Sequence, residues 1–205
     1  NGIKAHNLQS HLQHSKDLDI DIQGYSEVNT NFVLNKTAQA FYELPKRMDP
    51  TSRPTWCSSA YECEGAFKPG GTGIVTSGPP ASRIKETRKD PLGRWTCQVL
   101  DGEKDKDVAI ICIYQCCTPA KKTGMKTAYK QQKVLLSQMN RRNTDPRTNF
   151  KLDLKQFVKD IQKKYKNIRP IIIGDWNEEC RGTAASMEMC HEFGLVNIFE
   201  RMHPE

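Results

Sequence analysis

Two short segments of this sequence set a carboxylate beside an amide at the end of a strand-like run: Glu27 with Asn29, and Asp175 with Asn177. In Asp175-Trp176-Asn177 the two polar side chains share a face wherever strand geometry continues, because alternate residues of a strand point the same way. A carboxylate beside an amide suits hard-cation chemistry. The carboxylate binds Mg2+ or activates water, and the amide orients a nucleophile or a leaving oxygen. Asp, Asn and Gly are also ordinary turn residues, so either cluster taken alone reads first as a turn.

The elements that must position these groups follow from periodicity. Residues 19–24 alternate with period two and lead into Tyr25-Ser26-Glu27-Val28-Asn29. Residues 168–173 form an apolar run of strand length, with Pro170 near its start, that ends in Gly174-Asp175-Trp176-Asn177. Further strands are predicted over 55–61, 72–76, 94–100 and 108–116, arriving as a meander between Gly, Pro and charge-rich turns. Helices are predicted over 35–44, closed by Pro45, over 127–140, and over 184–193, stopped by Gly194. A further helix over 153–166 has Leu154, Phe157, Val158, Ile161 and Tyr165 on its core face. Its lysines 155, 159, 163, 164 and 166 read as a solvated face able to track phosphate, and 83–89 reads as a basic solvated loop. Leu8 and Leu12 mark one face of an N-terminal helix. His6, His11 and His14 read as its polar side rather than a metal cluster. Gly70 to Gly73 read as a tight turn, and no phosphate loop of the GxxxxGK[ST] type occurs.

Composition bounds the function. The chain has 205 residues, 37% of them hydrophobic, and no apolar run near the ~20 residues that cross a bilayer. A single folded domain with no membrane insertion is expected. Thirty-one Lys and Arg against 24 Asp and Glu leave +7, a balance that suits a polyanionic partner or simply a solvated surface. The eight cysteines include no CxxC pair, and Cys190-His191 is a weak zinc lead, so reduced thiols are expected. No targeting segment is visible, and the expected location is intracellular, nuclear or cytoplasmic.

Taken in order, four segments resemble the endonuclease/exonuclease/phosphatase superfamily, the phosphodiesterases related to abasic-site and retrotransposon endonucleases. Asn1-Gly2-Ile3-Lys4-Ala5 resembles the end of the family's opening motif. Residues 19–27 resemble the strand leading to the metal-binding glutamate, and Ile110-Ile111-Cys112-Ile113-Tyr114 the strand whose tyrosine reaches the phosphate. Pro170 to Asn177 resembles the family's Gly-Asp-x-Asn strand. Leu92-Gly93-Arg94-Trp95 and Asp145-Pro146-Arg147 are similar to the retroelement branch.

The resemblance implies an α/β fold: a four-layer α/β/β/α sandwich of two mostly antiparallel sheets, truncated, spanning 1–205. It implies Mg2+ or Mn2+ held by Glu27 with support from Asn1, and a water positioned or deprotonated by Asp175. Asn177 would hold phosphate or nucleophile, and Tyr114 would donate to the phosphate. On its own terms Tyr114 reads equally as a strand tyrosine capping the core. The implied activity is nicking of DNA by a monomer, with a reverse transcriptase in the same polyprotein. The alternatives are a phosphoesterase acting on phosphoinositide, other lipid or nucleotide, and a non-catalytic nucleic-acid-binding remnant. Two departures matter. The family's first asparagine would precede Asn1, and its closing Arg-x-Asp-Tyr and Ser-Asp-His strands have no match after Asn177. Neither His191 nor His203 replaces that histidine, so the chain is expected to be a piece of the family domain with weak activity.

Overall fold

A computed structural model describes residues 3, 5–118, 124, 126–179 and 184–203. The first elements are α1 (Ala5–Asp17), β1 (Ile22–Ser26), α2 (Asn35–Met48), β2 (Arg53–Cys57) and β3 (Thr72–Thr76). The middle of the chain forms α3 (Gly78–Ser82), β4 (Ile84–Lys89), β5 (Trp95–Leu100), β6 (Val108–Tyr114) and α4 (Ala128–Gln138). Then come α5 (Pro146–Lys164), β7 (Arg169–Asp175), α6 (Ala185–Phe193) and α7 (Ile198–Met202).

The strands form two sheets, ordered β1-β3-β2 and β4-β5-β6-β7. Every pairing is antiparallel except β6 with β7, which is parallel. Each outer face is covered by helices. Leu8 of α1 and Phe41 of α2 pack on Tyr25, Trp56 and Val75 of the smaller sheet. Phe150, Leu154, Val158 and Ile161 of α5, with Met189 of α6, pack on β5 and β6 of the larger one. Between the sheets lie Ile74, Leu100, Ile110 and Cys112. This is the four-layer α/β/β/α arrangement expected. Both β5 and β6 are covered on both sides; β6 accordingly reads as a continuous apolar run, whereas β5 alternates, with Thr96 and Gln98 turned toward the other sheet. The inner layer is partly polar: Thr72 bonds Thr96 at 2.7 Å, and Gln98 accepts from Thr76 at 2.5 Å.

Several elements depart from the sequence-based expectation. The meander holds only for β4 to β6, since β2 and β3 belong to the other sheet. Residues 83–89 are not a loop: β4 is an edge strand, alternately half-buried and exposed, with several of its charges paired locally. Lys85 pairs with Asp101 and Asp107, and Arg88 with Glu86. α5 begins seven residues earlier than predicted, because Asp145 caps it by accepting from the Thr148 amide at 2.7 Å and Pro146 fits its first position.

Pro45 does not close α2 but lies inside it. A proline there strips the carbonyl four residues back of its helical donor. That carbonyl belongs to Phe41, and the indole N–H of Trp56 donates to it at 3.0 Å. The helix survives its proline because the sheet supplies the missing bond.

Candidate active site

Three strands end at one place. Tyr114 closes β6 and Asp175 closes β7, and the two residues are register partners. Glu27 directly follows β1, and its backbone lies in the left-handed region at φ 52°, which swings the chain out of the strand and leaves the residue exposed. Its charge and that of Asp175 both act on the Tyr114 hydroxyl. The site residues expected from sequence are therefore brought together, apart from Asn1, which lies outside the described residues.

The β6–β7 ladder ends in side-chain rather than backbone bonds. The Gln115 amide donates to the Asp175 carbonyl at 2.9 Å. In regular parallel pairing the Gln115 carbonyl would then accept from the Asn177 amide. Instead the Asn177 side chain takes that place, Nδ2 donating to the Gln115 carbonyl at 2.7 Å. The freed Asn177 amide donates to Asp175 Oδ1 at 2.8 Å, and Nδ2 also reaches Asp175 Oδ2 at 3.1 Å. Asn177 adopts φ 45° to make these bonds, and its Oδ1 accepts from the Cys117 thiol at 3.1 Å. In this arrangement Asn177 orients the Asp175 carboxylate.

Tyr114 is buried, and its hydroxyl makes no hydrogen bond among the described residues. Burial, then the negative charge of Glu27, pushes its ionisation far above the ordinary tyrosine value, so the group stays a proton donor at neutral pH. The ring packs against Ala128 and the backbone of Gly70, where a Cβ would lie 3.2 Å from it. Its amide is fixed by the Arg94 carbonyl at 2.8 Å. Arg94 is itself buried, with its guanidinium bonded to Asp90 and Asp153.

Asn29 has a different part from the one its type suggests. Its Oδ1 accepts from the Gly70 amide at 2.8 Å, and its own amide bonds the Gly70 carbonyl. Its side-chain oxygen and backbone N–H are thus committed to holding the turn at Gly70 and Gly71, whose φ values are 82° and 86°. The carboxylate–amide pair at this strand end is a carboxylate beside a structural bracket.

Other residues at the site carried little sequence signal. Gln115 is buried and donates to the Trp176 carbonyl at 2.6 Å. Arg147 donates to the carbonyls of Cys116 at 2.7 Å and Asn177 at 3.1 Å, joining the two loops that follow β6 and β7. Asp145-Pro146, a capping residue before a proline, is the signal that could have placed Arg147 at the second position of α5, where the helix dipole disfavours a cation and other partners are needed. Of the predicted basic face, Lys163 and Lys166 are exposed with no ion pair among the described residues, but the other three lysines are matched by acids. Lys155 and Lys159 pair with Glu192 of α6, and Lys164 with Glu86 of β4. His191 lies exposed on α6, and His203 lies beyond α7.

Among the described residues no group of three His, Cys, Asp or Glu side chains is gathered to hold a metal ion. Of the helix-one histidines, His11 and His14 are exposed, and the side chain of His6 is outside the description. Mg2+ needs less than such a cage, since it keeps several waters and is held by one or two carboxylates plus substrate phosphate. The exposed Glu27 carboxylate, which has no hydrogen-bond partner among the described residues, fits that requirement with Asp175 nearby. The seven cysteines among the described residues form no disulfide, and burial raises the Cys112 thiol to about 11 and the Cys116 thiol to about 12. No helix among the described residues is long and apolar enough to cross a membrane.

No family model matches the chain, and no curated protein does. Solved structures match over most of its length. A beta toxin from Staphylococcus aureus superposes on 92% of this chain and 64% of its own, at 14% identity and TM-score 0.48. ANGEL2, a 2′,3′-cyclic phosphatase, covers 89% of this chain and 46% of its own, at 11% identity and TM-score 0.48. An AP endonuclease from Archaeoglobus fulgidus covers 100% and 72%, at 12% identity and TM-score 0.49. The chain thus spans less than two thirds of the first two proteins. Likenesses of this degree carry no functional inference, and the functional reading stands on the strand ends.

Proposed function

We propose that this chain is a divalent-metal-dependent phosphodiester hydrolase acting on DNA, a nicking endonuclease of the retroelement kind. The observation that carries the proposal is the meeting of Glu27, Tyr114 and Asp175 at the ends of β1, β6 and β7. Attack at a phosphodiester needs a positioned water, a group to receive its proton and a donor for the charge developing on phosphorus oxygen. Asp175, with both oxygens held by Asn177, orients the water and takes its proton. Tyr114, kept protonated by burial and by neighbouring carboxylates, donates to a phosphate oxygen. Glu27 would hold Mg2+ or Mn2+, with Asn1 as support, and the bound ion would neutralise phosphate charge. The net +7 supports a polyanionic substrate. A reverse transcriptase in the same polyprotein is the partner this proposal implies, and the adjoining coding sequence tests it.

The deciding experiment is nicking of supercoiled plasmid with Mg2+ and with chelator, by wild type and Glu27→Gln. Expected is Mg2+-dependent nicking, stopped by chelator and slowed about 100-fold or more by the substitution, as for loss of one charge-stabilising group. Equal nicking by both proteins overturns the assigned chemistry. Hydrolysis of small phosphoesters without DNA cleavage overturns the substrate. Salt-sensitive DNA binding, indifferent to Mg2+ and Glu27 and without cleavage, overturns catalysis.

A further inference from the structure

In the rung before Tyr114 and Asp175, Ile113 faces Gly174, and regular parallel pairing joins the Ile113 carbonyl to the Asp175 amide. The hydroxyl of Ser26 stands at this rung. It donates to the Ile113 carbonyl at 2.7 Å and accepts from the Asp175 amide at 3.2 Å. Ser26 ends β1, which belongs to the other sheet, and it immediately precedes Glu27. One hydroxyl therefore links the backbone carrying the Glu27 carboxylate to the backbone carrying the Asp175 carboxylate.

The bridge has a second half in Gly174. Its φ of 130° is closed to most side chains. A Cβ there would overlap the Ile113 carbonyl and lie 2.9 Å from the Ser26 hydroxyl. The missing side chain leaves the space that the hydroxyl enters. This rung takes a short group that both donates and accepts, which Ser and Thr supply strongly and Cys only weakly.

We propose that Ser26 is a positioning residue that sets the separation of the Glu27 and Asp175 carboxylates through this bridge. The proposal rests on the hydrolase reading above. A displacement of about 1 Å in a catalytic group costs on the order of 100-fold in rate, and loss of a group orienting a metal ligand costs roughly 10–100-fold in metal affinity.

The test compares wild type, Ser26→Ala and Ser26→Thr in three measurements: Mn2+ binding by titration calorimetry, plasmid nicking resolved into kcat and KM, and hydrogen exchange of the Asp175 amide. Expected for Ser26→Ala is an Mn2+ affinity about 10-fold weaker and a kcat about 10–100-fold lower, with KM for DNA within about twofold. Asp175 amide exchange should be at least about 10-fold faster, and Ser26→Thr should restore all three. Should Ser26→Ala fail to fold, Ser26→Cys keeps the size and weakens both bonds, and carries the same comparison. Wild-type Mn2+ affinity and kcat in a folded Ser26→Ala overturn the positioning role alone. A wild-type chain that neither binds Mn2+ nor nicks overturns the hydrolase reading and takes this proposal with it.

Discussion

Replacing Arg147 by methionine sets two effects of opposite sign against each other, and the structure says which is larger. The guanidinium donates to the Cys116 carbonyl at 2.7 Å and the Asn177 carbonyl at 3.1 Å, and lies 3.9 Å from the Glu178 carboxylate. Hydrogen bonds from a charged donor are worth roughly 1.5–3 kcal/mol each when buried. The side chain is 22% exposed, so water partly replaces the lost donor and about 1 kcal/mol per bond is the better figure. Against this, removing a cation from the second position of α5 returns about 0.3–1 kcal/mol of helix-dipole repulsion. The net loss is about 1.5 kcal/mol. For a chain of this size that lowers Tm by roughly 3–6 °C. Arg147→Lys keeps the charge, yet one ammonium does not span both carbonyls, so it should lose about half as much. Calorimetric melting of the three proteins at one pH and salt concentration decides. A methionine variant that melts at or above wild type would refute the reasoning, because the dipole would then outweigh the two bonds. Equal melting of the lysine and methionine variants would refute the role of the forked geometry.

Two further predictions concern stability alone. Trp56→Phe strands the Phe41 carbonyl and should cost about 1–3 kcal/mol, but about 1 kcal/mol less in a Pro45→Ala background, where residue 45 regains an N–H for that carbonyl. A denaturant double-mutant cycle with no coupling energy would show that the indole does not replace the proline's missing donor. For Glu86, burial pushes the carboxyl up, but bonds from Tyr165, Lys164 and Arg88 outweigh it and bring the group down to about 2. A value depressed below the unfolded ~4.3 stabilises the fold above that pH, and the contribution is lost as pH falls toward the folded value. Urea unfolding of wild type should therefore weaken more steeply between about pH 4.5 and 2 than that of Glu86→Gln. Parallel pH profiles would show that the three bonds do not hold in solution.

Much of the site was legible in the sequence because it is written locally. An apolar or alternating run followed at once by acid and amide marks a strand end, and Glu27, Asp175 and Asn177 lie at such ends, whereas Tyr114 closes an apolar strand followed by Gln115-Cys116 and was marked by resemblance alone. The same local logic placed β3, the Gly194 stop of α6 and the start of β6. Partner choice was not legible. Asn29 and Asn177 are the same residue type in similar settings, yet one brackets Gly70 and the other orients Asp175. Pro45 breaks a helix by local rules and is kept inside one by an indole from another element. Lys155, Lys159 and Lys164 of α5 are matched by acids from α6 and β4. Ser26 reads as one more polar residue in a strand, and its partners lie 87 and 149 residues away. Periodicity and turn chemistry act over a few neighbours, so sequence determined the elements and the residues at their ends. A hydrogen-bonding group, by contrast, takes whichever partner the packed sheets bring within about 3 Å, and that selection was made only by the tertiary structure.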